Sequence, residues 1–375
     1  MQLLPLQDVI SQIKPGSVLP WGVRDSNGNL LLAKGHLIVD ASMLQALLDR
    51  GMFVDALKAR SAAAPPANSG AVATPKEGFF GRWSLLQRRL NSLLATPPPD
   101  LRKAMDEVIT LLITLTDSDP DQVLFLILRH DQSRLQSYGG AHSLHCGAVC
   151  CMTALRMGWT ESKRRSLVGA ALTMNISMIE LQGQLAVQSK PPTPEQRGDI
   201  DSHPLRSSKL LRSGGVTDLD WLQAVEQHHE IPDGTGYPAK LTVVSEAAQM
   251  LRYVDIFSAK ICARASRAAV FPNQAAKEVF TENQGHPLAT ALIKEFGMYP
   301  PGCFVKLNSG ETAIVVRRGS TVTGPIVACL TNGKGEPMAK PALRDTSLKE
   351  HAVVSVTPEA NVMVRVPWET LYARS

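Results

Sequence analysis

Residues 228–238 read HHEIPDGTGYP, and this stretch decides how the rest of the chain is read. It has two parts with different physics. His228 and His229 with Glu230 beside them put two imidazoles and a carboxylate together, the donor types that suit a divalent transition metal. The run DGTGYP is a turn: Gly234 and Gly236 are expected to supply positive φ, and Pro238 stops a helix. A histidine pair alone has a plainer reading as two satisfied or exposed side chains. Eleven residues that join it to this turn are much more specific, so the chain must be searched for the remaining ligands.

At 375 residues the chain is long enough for two or three domains. Its 44% apolar and 19% charged residues are ordinary for a globular protein. No apolar run is long enough for a membrane span, and MQLLPLQDVI lacks the basic-then-apolar pattern of an export signal, so a cytoplasmic protein is expected. Six cysteines, three of them bunched at Cys146, Cys150 and Cys151, fit buried reduced thiols better than a disulfide framework or a CxxC zinc set. The net charge of +5 is modest, and the basic clusters at Arg88–Arg89 and Lys163–Arg165 lack interleaved aromatics, which argues for solvated helix faces rather than a nucleic-acid polymer as partner.

Outward from the opening stretch, helical periodicity runs from 79 to 297, including leading helices over 79–130. Asp119 is expected to cap a helix with Pro120 at its first position. Residues 1–59 read as a small β-rich N-terminal domain, with DSNGN as a hairpin connection and a short helix, ASMLQALLDRGMFV, ending at Gly51. Residues 60–78 are rich in Ala, Pro, Ser and Gly and read as a flexible linker. After Gly297 the pattern turns to β-branched alternation broken by NSGE and NGKG, so 298–375 is expected to be a small β-barrel-like domain. The expected fold class is multidomain, an all-α core flanked by small β-rich domains.

The eleven residues resemble the signature of the HD-GYP family, a branch of the HD metal-dependent phosphohydrolases whose members are bacterial cyclic di-GMP phosphodiesterases. The resemblance spans about residues 120 to 300. YGGAHSLHCGAVCCMTALRMGW is similar to the family's helix that opens on a ligand histidine, and places His142; HPLRSSKLLR is similar to its His-Pro segment, and places His203. The HHE stretch gives His228 and His229. RYVDIFSAKICARASR resembles the segment with a ligand aspartate and two arginines, and places Asp255, Arg264 and Arg267. By themselves these residues have plainer readings: His142 and His145 as a buried polar pair, Asp255 as a hydrogen-bonded helix residue, His203 as a helix-entry residue, and the arginines as a solvated face. It is their joint spacing that carries the resemblance.

One block departs from the pattern, and it is the block that names the superfamily. Where the family has HDIGK, this chain reads MNISM, so Met174 and Asn175 stand for the His-Asp pair and Met178 for the lysine. A His130–Asp131 dipeptide does occur, but ahead of the first ligand helix and in the wrong order. The resemblance implies iron or manganese ions joined by the aspartate of the pair. A carboxylate can give one anionic oxygen to each of two ions; the neutral amide of Asn175 cannot, and the thioether of Met174 suits hard ions poorly. One divalent ion on three histidines is therefore expected to survive, and a full bridged pair is not. Whether the chain is an enzyme is left open. The favoured reading is a catalytically weak or inactive signalling protein that binds cyclic di-GMP, or that contacts diguanylate cyclase or other signalling proteins through Asp233, Gly234, Gly236, Tyr237 and Pro238. The alternative is a divergent phosphodiesterase.

Overall fold

The computed structural model describes residues 3–13, 21–24, 30–32, 53–55, 78–130, 135–321, 323–362, 364 and 366–372. The chain divides into two compact units, Met1–Lys76 and Glu77–Ser375. A mostly helical core with β-sheet regions towards both ends of the chain is its architecture.

In the first unit, β1 (Leu3–Pro5), β2 (Val23–Arg24), β3 (Leu30–Leu32) and β4 (Phe53–Asp55) form an antiparallel sheet in the order β1-β4-β2-β3. Val23 pairs with Leu32, so β2 and β3 flank the DSNGN connection, whose residues 25–29 lie outside the described ones. Most of the short helix expected over 41–54 and all but Gly78 of the linker expected over 60–78 lie outside them too. Phe53 and Val54, at the end of that helical stretch, are in strand β4.

The second unit begins with α1 (Phe79–Ala95), α2 (Leu101–Ser118) and α3 (Pro120–Leu128). Asp119 does cap α3: its carboxylate accepts from the Gln122 N–H, with Pro120 at the first helical position. The central element is α4 (Tyr138–Arg156), buried on every side from Tyr138 to Ala154. A helix apolar or small all round belongs in the middle of a bundle. It packs against α1, α2, α5 (Glu161–Thr173), α6 (Ile179–Val187), α9 (Glu246–Ile261) and α11 (Pro287–Phe296). Close approach of α5 depends on Gly147, where a Cβ would lie 2.8 Å from the Leu172 side chain.

Between α6 and α9 run α7 (Pro194–Ser213) and α8 (Leu219–Gln227), and α10 (Pro272–Glu282) precedes α11. A reciprocal capping box between Thr193 and Gln196 starts α7. The basic cluster read as a solvated face is instead used to join helices. Arg164 is buried and makes a bidentate pair with Asp117, 2.9 Å on each arm, while Lys163 pairs with Glu246 at 2.5 Å. All six cysteines are buried and free.

The C-terminal strands β5 (Phe304–Leu307), β6 (Thr312–Arg317), β7 (Ile326–Thr331), β8 (Pro337–Asp345) and β9 (Val353–Val356) pair antiparallel in the order β8-β7-β6-β5-β9. The two outer strands are not paired with each other among the described residues, so the barrel expected from sequence is an open sheet here. Its turns fall at NSGE and NGKG, where Gly310 (φ +82°) and Gly335 (φ +83°) take the left-handed region that glycine tolerates. Phe125 of α3 inserts among Phe304, Ile314 and Leu330, with Trp368 and Tyr372 edge-on to its ring.

Candidate metal centre

The final turn of α8 is where the site begins. The helix ends at Gln227, and His228 and His229 follow at once, before the loop can diverge. His203 lies inside α7 next to Pro204, a residue that leaves one backbone acceptor of the helix without its usual donor. These three histidines meet: each offers one ring nitrogen, and all three lie within 4.8 Å of one another.

Hydrogen bonds fix the tautomers of two of them. The Nδ1–H of His203 donates to the Ile200 carbonyl at 2.5 Å, and that of His228 to the Val225 carbonyl at 2.7 Å. Each ring then turns an unprotonated Nε2 inward, and the two Nε2 atoms are 3.1 Å apart. Two lone pairs facing each other in a buried place repel unless a proton or a cation lies between them. A proton is disfavoured: burial, reinforced by the neighbouring His228, lowers the His203 pKa to about 3, and burial lowers that of His228. His229 is pushed well below the ordinary imidazole value, by burial and by His228. The donor set fits a divalent cation, and the carbonyl partners are the outer contacts that orient ligand imidazoles.

A second cluster lies in the same pocket, on α4 and α9. His142 Nε2 donates to Asp255 Oδ1 at 2.7 Å, and Cys146 Sγ is 3.6 Å from the same nitrogen. Burial would raise the Asp255 pKa, but the hydrogen bond from His142 leads the effects that outweigh it and hold the carboxyl well below the carboxylate range. The Nδ1 of His142 is buried without a partner. Unlike His203 and His228, this ring has no carbonyl to set its orientation.

The pocket has a volume of about 320 Å³ and is lined by Tyr138, His142, Asn175, Met178, His203, His229, Tyr237, Asp255, Lys260, Arg264 and Arg267 among others. Asn175 and Met178 therefore face the space where the family block would act, whereas Met174 is fully buried. The arginines are not on a helix face. Helix α9 stops at Ile261, Cys262 is extended, and Arg264 and Arg267 exchange backbone hydrogen bonds of 2.8 and 3.0 Å in the loop beyond. Tyr138 holds Arg264 over its ring at 4.5 Å and accepts from its guanidinium at 2.5 Å. Tyr138, Gln182 and Lys260 also line the pocket and were not singled out from sequence; only Tyr138 carried a signal, its position four residues before His142 on one helix.

The turn after the histidines is assembled differently from its sequence reading. Gly234 has φ +77°, as expected, but Gly236 is needed for space: a Cβ there would fall 2.4–2.6 Å from backbone atoms of His229, Glu230 and Ile231. Glu230 is buried and not directed to the imidazoles; its carboxylate accepts from the backbone N–H groups of Ala239 at 2.6 Å and Leu241 at 2.9 Å, closing the loop on itself. Tyr237 stacks on His229 with ring centroids 4.5 Å apart and 18° between planes. Gly236 is buried and Tyr237 and Pro238 are half-buried, so the exposed tip is Asp233 and Thr235, joined by hydrogen bonds of 2.8 and 2.6 Å. A larger cleft of about 630 Å³ lies between α11 and the C-terminal sheet, and two of its cations, Arg156 and Arg318, are already paired with Glu295.

Histidines and one aspartate drawn from separate helices of an all-α core form two groups that could hold a metal ion, with the GYP turn packed on the His229 ring. The HD domain family matches residues 123–286, so this part of the chain is an HD domain. It is similar to the cyclic di-GMP phosphodiesterase PA4108 of Pseudomonas aeruginosa, 24% identical over 211 residues, which are 53% of this chain and 51% of that protein. It is also similar to a cyclic di-GMP phosphodiesterase of Vibrio cholerae, 35% identical over 71 residues, 18% of this chain and 14% of the other. The chain thus spans about half the length of the first relative and much less of the second. Among solved structures, Bd1817, an HDG"Y"P protein from Bdellovibrio bacteriovorus, matches with a TM-score of 0.49 at 16% identity, covering 78% of this chain and 97% of that one. Among the described residues no helix is long and apolar enough to cross a membrane.

Proposed function

We propose that the chain is a degenerate HD-GYP signalling protein that holds one divalent ion, iron or manganese in type, on His203, His228 and His229 and binds cyclic di-GMP over it, with phosphodiester hydrolysis weak or lost. The observation that carries this reading is the buried Nε2 pair of His203 and His228, 3.1 Å apart with both rings oriented by carbonyls, in a pocket where Asn175 occupies the place of the bridging carboxylate.

When bound, the ion supplies positive charge and Lewis acidity to a phosphate oxygen. The chain's own residues do the rest. Arg264, held by Tyr138, and Arg267 bring cationic groups to the pocket that suit phosphodiesters, whereas Lys260 is paired with Glu278 and Glu282. Tyr237 braces the His229 ring by stacking, and Glu230 ties down the loop that carries Tyr237. Asn175 offers no negative charge, and Met178 no ammonium, to a reacting phosphate; removing groups of that kind commonly costs about 10²–10³ in rate each. The names of the two relatives support cyclic di-GMP as the nucleotide.

The exposed Asp233–Thr235 tip of the turn supports a second use, contact with a diguanylate cyclase or another signalling protein. Retention of His142 and Asp255 beside the three histidines favours the alternative, a divergent but active phosphodiesterase. Calorimetry with cyclic di-GMP and a hydrolysis assay with added iron or manganese decide between them. Binding without turnover is expected; metal-dependent turnover abolished by His228→Ala would establish the enzyme instead.

A further inference from the structure

We propose that Cys146 supplies the anionic donor that Asn175 does not, so that Cys146, His142 and Asp255 form a second, thiolate-containing site for a zinc-type ion beside the three histidines. This rests on the reading of the three-histidine cluster as a metal site, and adds to it a donor that the sequence pattern treats as core.

Geometry is the first ground. His142 and Cys146 are four residues apart on α4, one helical turn, so their side chains share a face. Sγ is 3.6 Å from Nε2, Nε2 is 2.7 Å from Asp255 Oδ1, and all three donors lie within 4.8 Å of one another. Zinc bond lengths of about 2.3 Å to sulfur and about 2.0 Å to nitrogen and oxygen place tetrahedral donors roughly 3.3–3.5 Å apart. The nitrogen and sulfur are already at that spacing, and the nitrogen and oxygen need to part by roughly half an ångström.

Charge is the second ground. Two dications in one small pocket repel, and a carboxylate shared between them would relieve the repulsion; Asn175 is neutral. A thiolate at Cys146 and the carboxylate of Asp255 together cancel the charge of one ion, so a second ion can sit near the first with no bridge. A third ground is a buried donor without other employment. The Ser258 hydroxyl, three residues from Asp255 on α9, is fully buried with no hydrogen-bond partner, which leaves it to donate to a thiolate sulfur. A cysteine that merely filled the core would need neither neighbour.

On binding, the S–H bond of Cys146 breaks as the sulfur–metal bond forms, the proton leaves to solvent, and the ring proton of His142 moves from Nε2 to Nδ1. A sulfur donor shifts preference towards zinc and away from manganese. Because His142 lacks the carbonyl partner that His203 and His228 have, this site fills second.

The test uses the full chain, stripped of metal and titrated with cobalt(II). A thiolate-to-cobalt charge-transfer absorption in the near ultraviolet is expected late in the titration, lost in Cys146→Ser and kept in His228→Ala. Visible cobalt absorption that is lost in His228→Ala, with no charge-transfer band in the wild type, would overturn the thiolate site while leaving the three-histidine site standing. Persistence of the band in Cys146→Ser would overturn it by pointing to another thiol. X-ray absorption at the zinc edge of the wild type needs no variant: a sulfur neighbour at about 2.3 Å is expected, and a shell of nitrogen and oxygen alone overturns the proposal.

Discussion

The two halves of the pocket are built to different standards. On the α7–α8 side, His203 and His228 each spend one nitrogen on a carbonyl and present the other to a shared point. On the α4–α9 side, His142 is bonded directly to Asp255, its other nitrogen is buried without a partner, and Asn175 lines the space nearby. The difference teaches that a Met174–Asn175 pair at the α5 end leaves the histidine orientation on α7 and α8 untouched. Helices α7 and α8 hold His203 and His228 oriented whatever stands at 174 and 175, because those orientations come from backbone carbonyls three residues away.

The largest expected effect tests the better half. His228→Ala removes a ligand whose affinity is pooled with two others, so bound metal should fall by one equivalent in elemental analysis, and chelator should lower the melting temperature by less than in the wild type. An ion at 100 times its dissociation constant stabilises a folded chain by about 2.7 kcal/mol, and that increment is what the variant loses. Equal chelator sensitivity in the variant would break the comparison.

The damaged half is tested by repair. Met174→His, Asn175→Asp and Met178→Lys together should raise cyclic di-GMP hydrolysis by about 10²-fold or more, since a single electrostatic group in such a site is commonly worth about 10²–10³. Rates unchanged from the wild type, in a variant that binds two ions, would place the fault elsewhere in the pocket.

Smaller effects come from the turn that ties His229 to the fold. Gly236→Ala would push a methyl into the backbone of residues 229–231 at 2.4–2.6 Å; overpacking of this kind costs about 1–3 kcal/mol, seen as a drop in the urea midpoint. Glu230→Gln keeps the shape but loses a charge-assisted bond to Ala239 or Leu241. That should cost about 1.5–3 kcal/mol, with a modest fall in metal affinity as Tyr237 loosens from His229. A Glu230→Gln variant as stable as the wild type would show that the loop is held by other means.

Much of this was legible in the sequence, for reasons that differ by residue. The histidine cluster is readable because groups that could hold a metal draw on few residue types at spacings that helices dictate, and the α-to-β change near Gly297 is readable because periodicity changes with it. Glu230 was not: beside two histidines a carboxylate reads as a donor, and only the folded loop brings the amides of Ala239 and Leu241 back to it. Gly236 reads as a residue chosen for φ, since sequence cannot show that backbone passes where its side chain would be. Arg164 reads as surface because its partner, Asp117, is on another helix. Cys146 reads as core among apolar neighbours, and its distance to Asp255 depends on how α9 lies across α4.

The central claim is that His203, His228 and His229 hold an ion without the bridging carboxylate. Metal content of the purified wild type against His228→Ala tests it most directly. The account predicts that the wild type carries one equivalent more than the variant. Equal metal in the two proteins, or none in either after supply of iron, manganese and zinc, would contradict it.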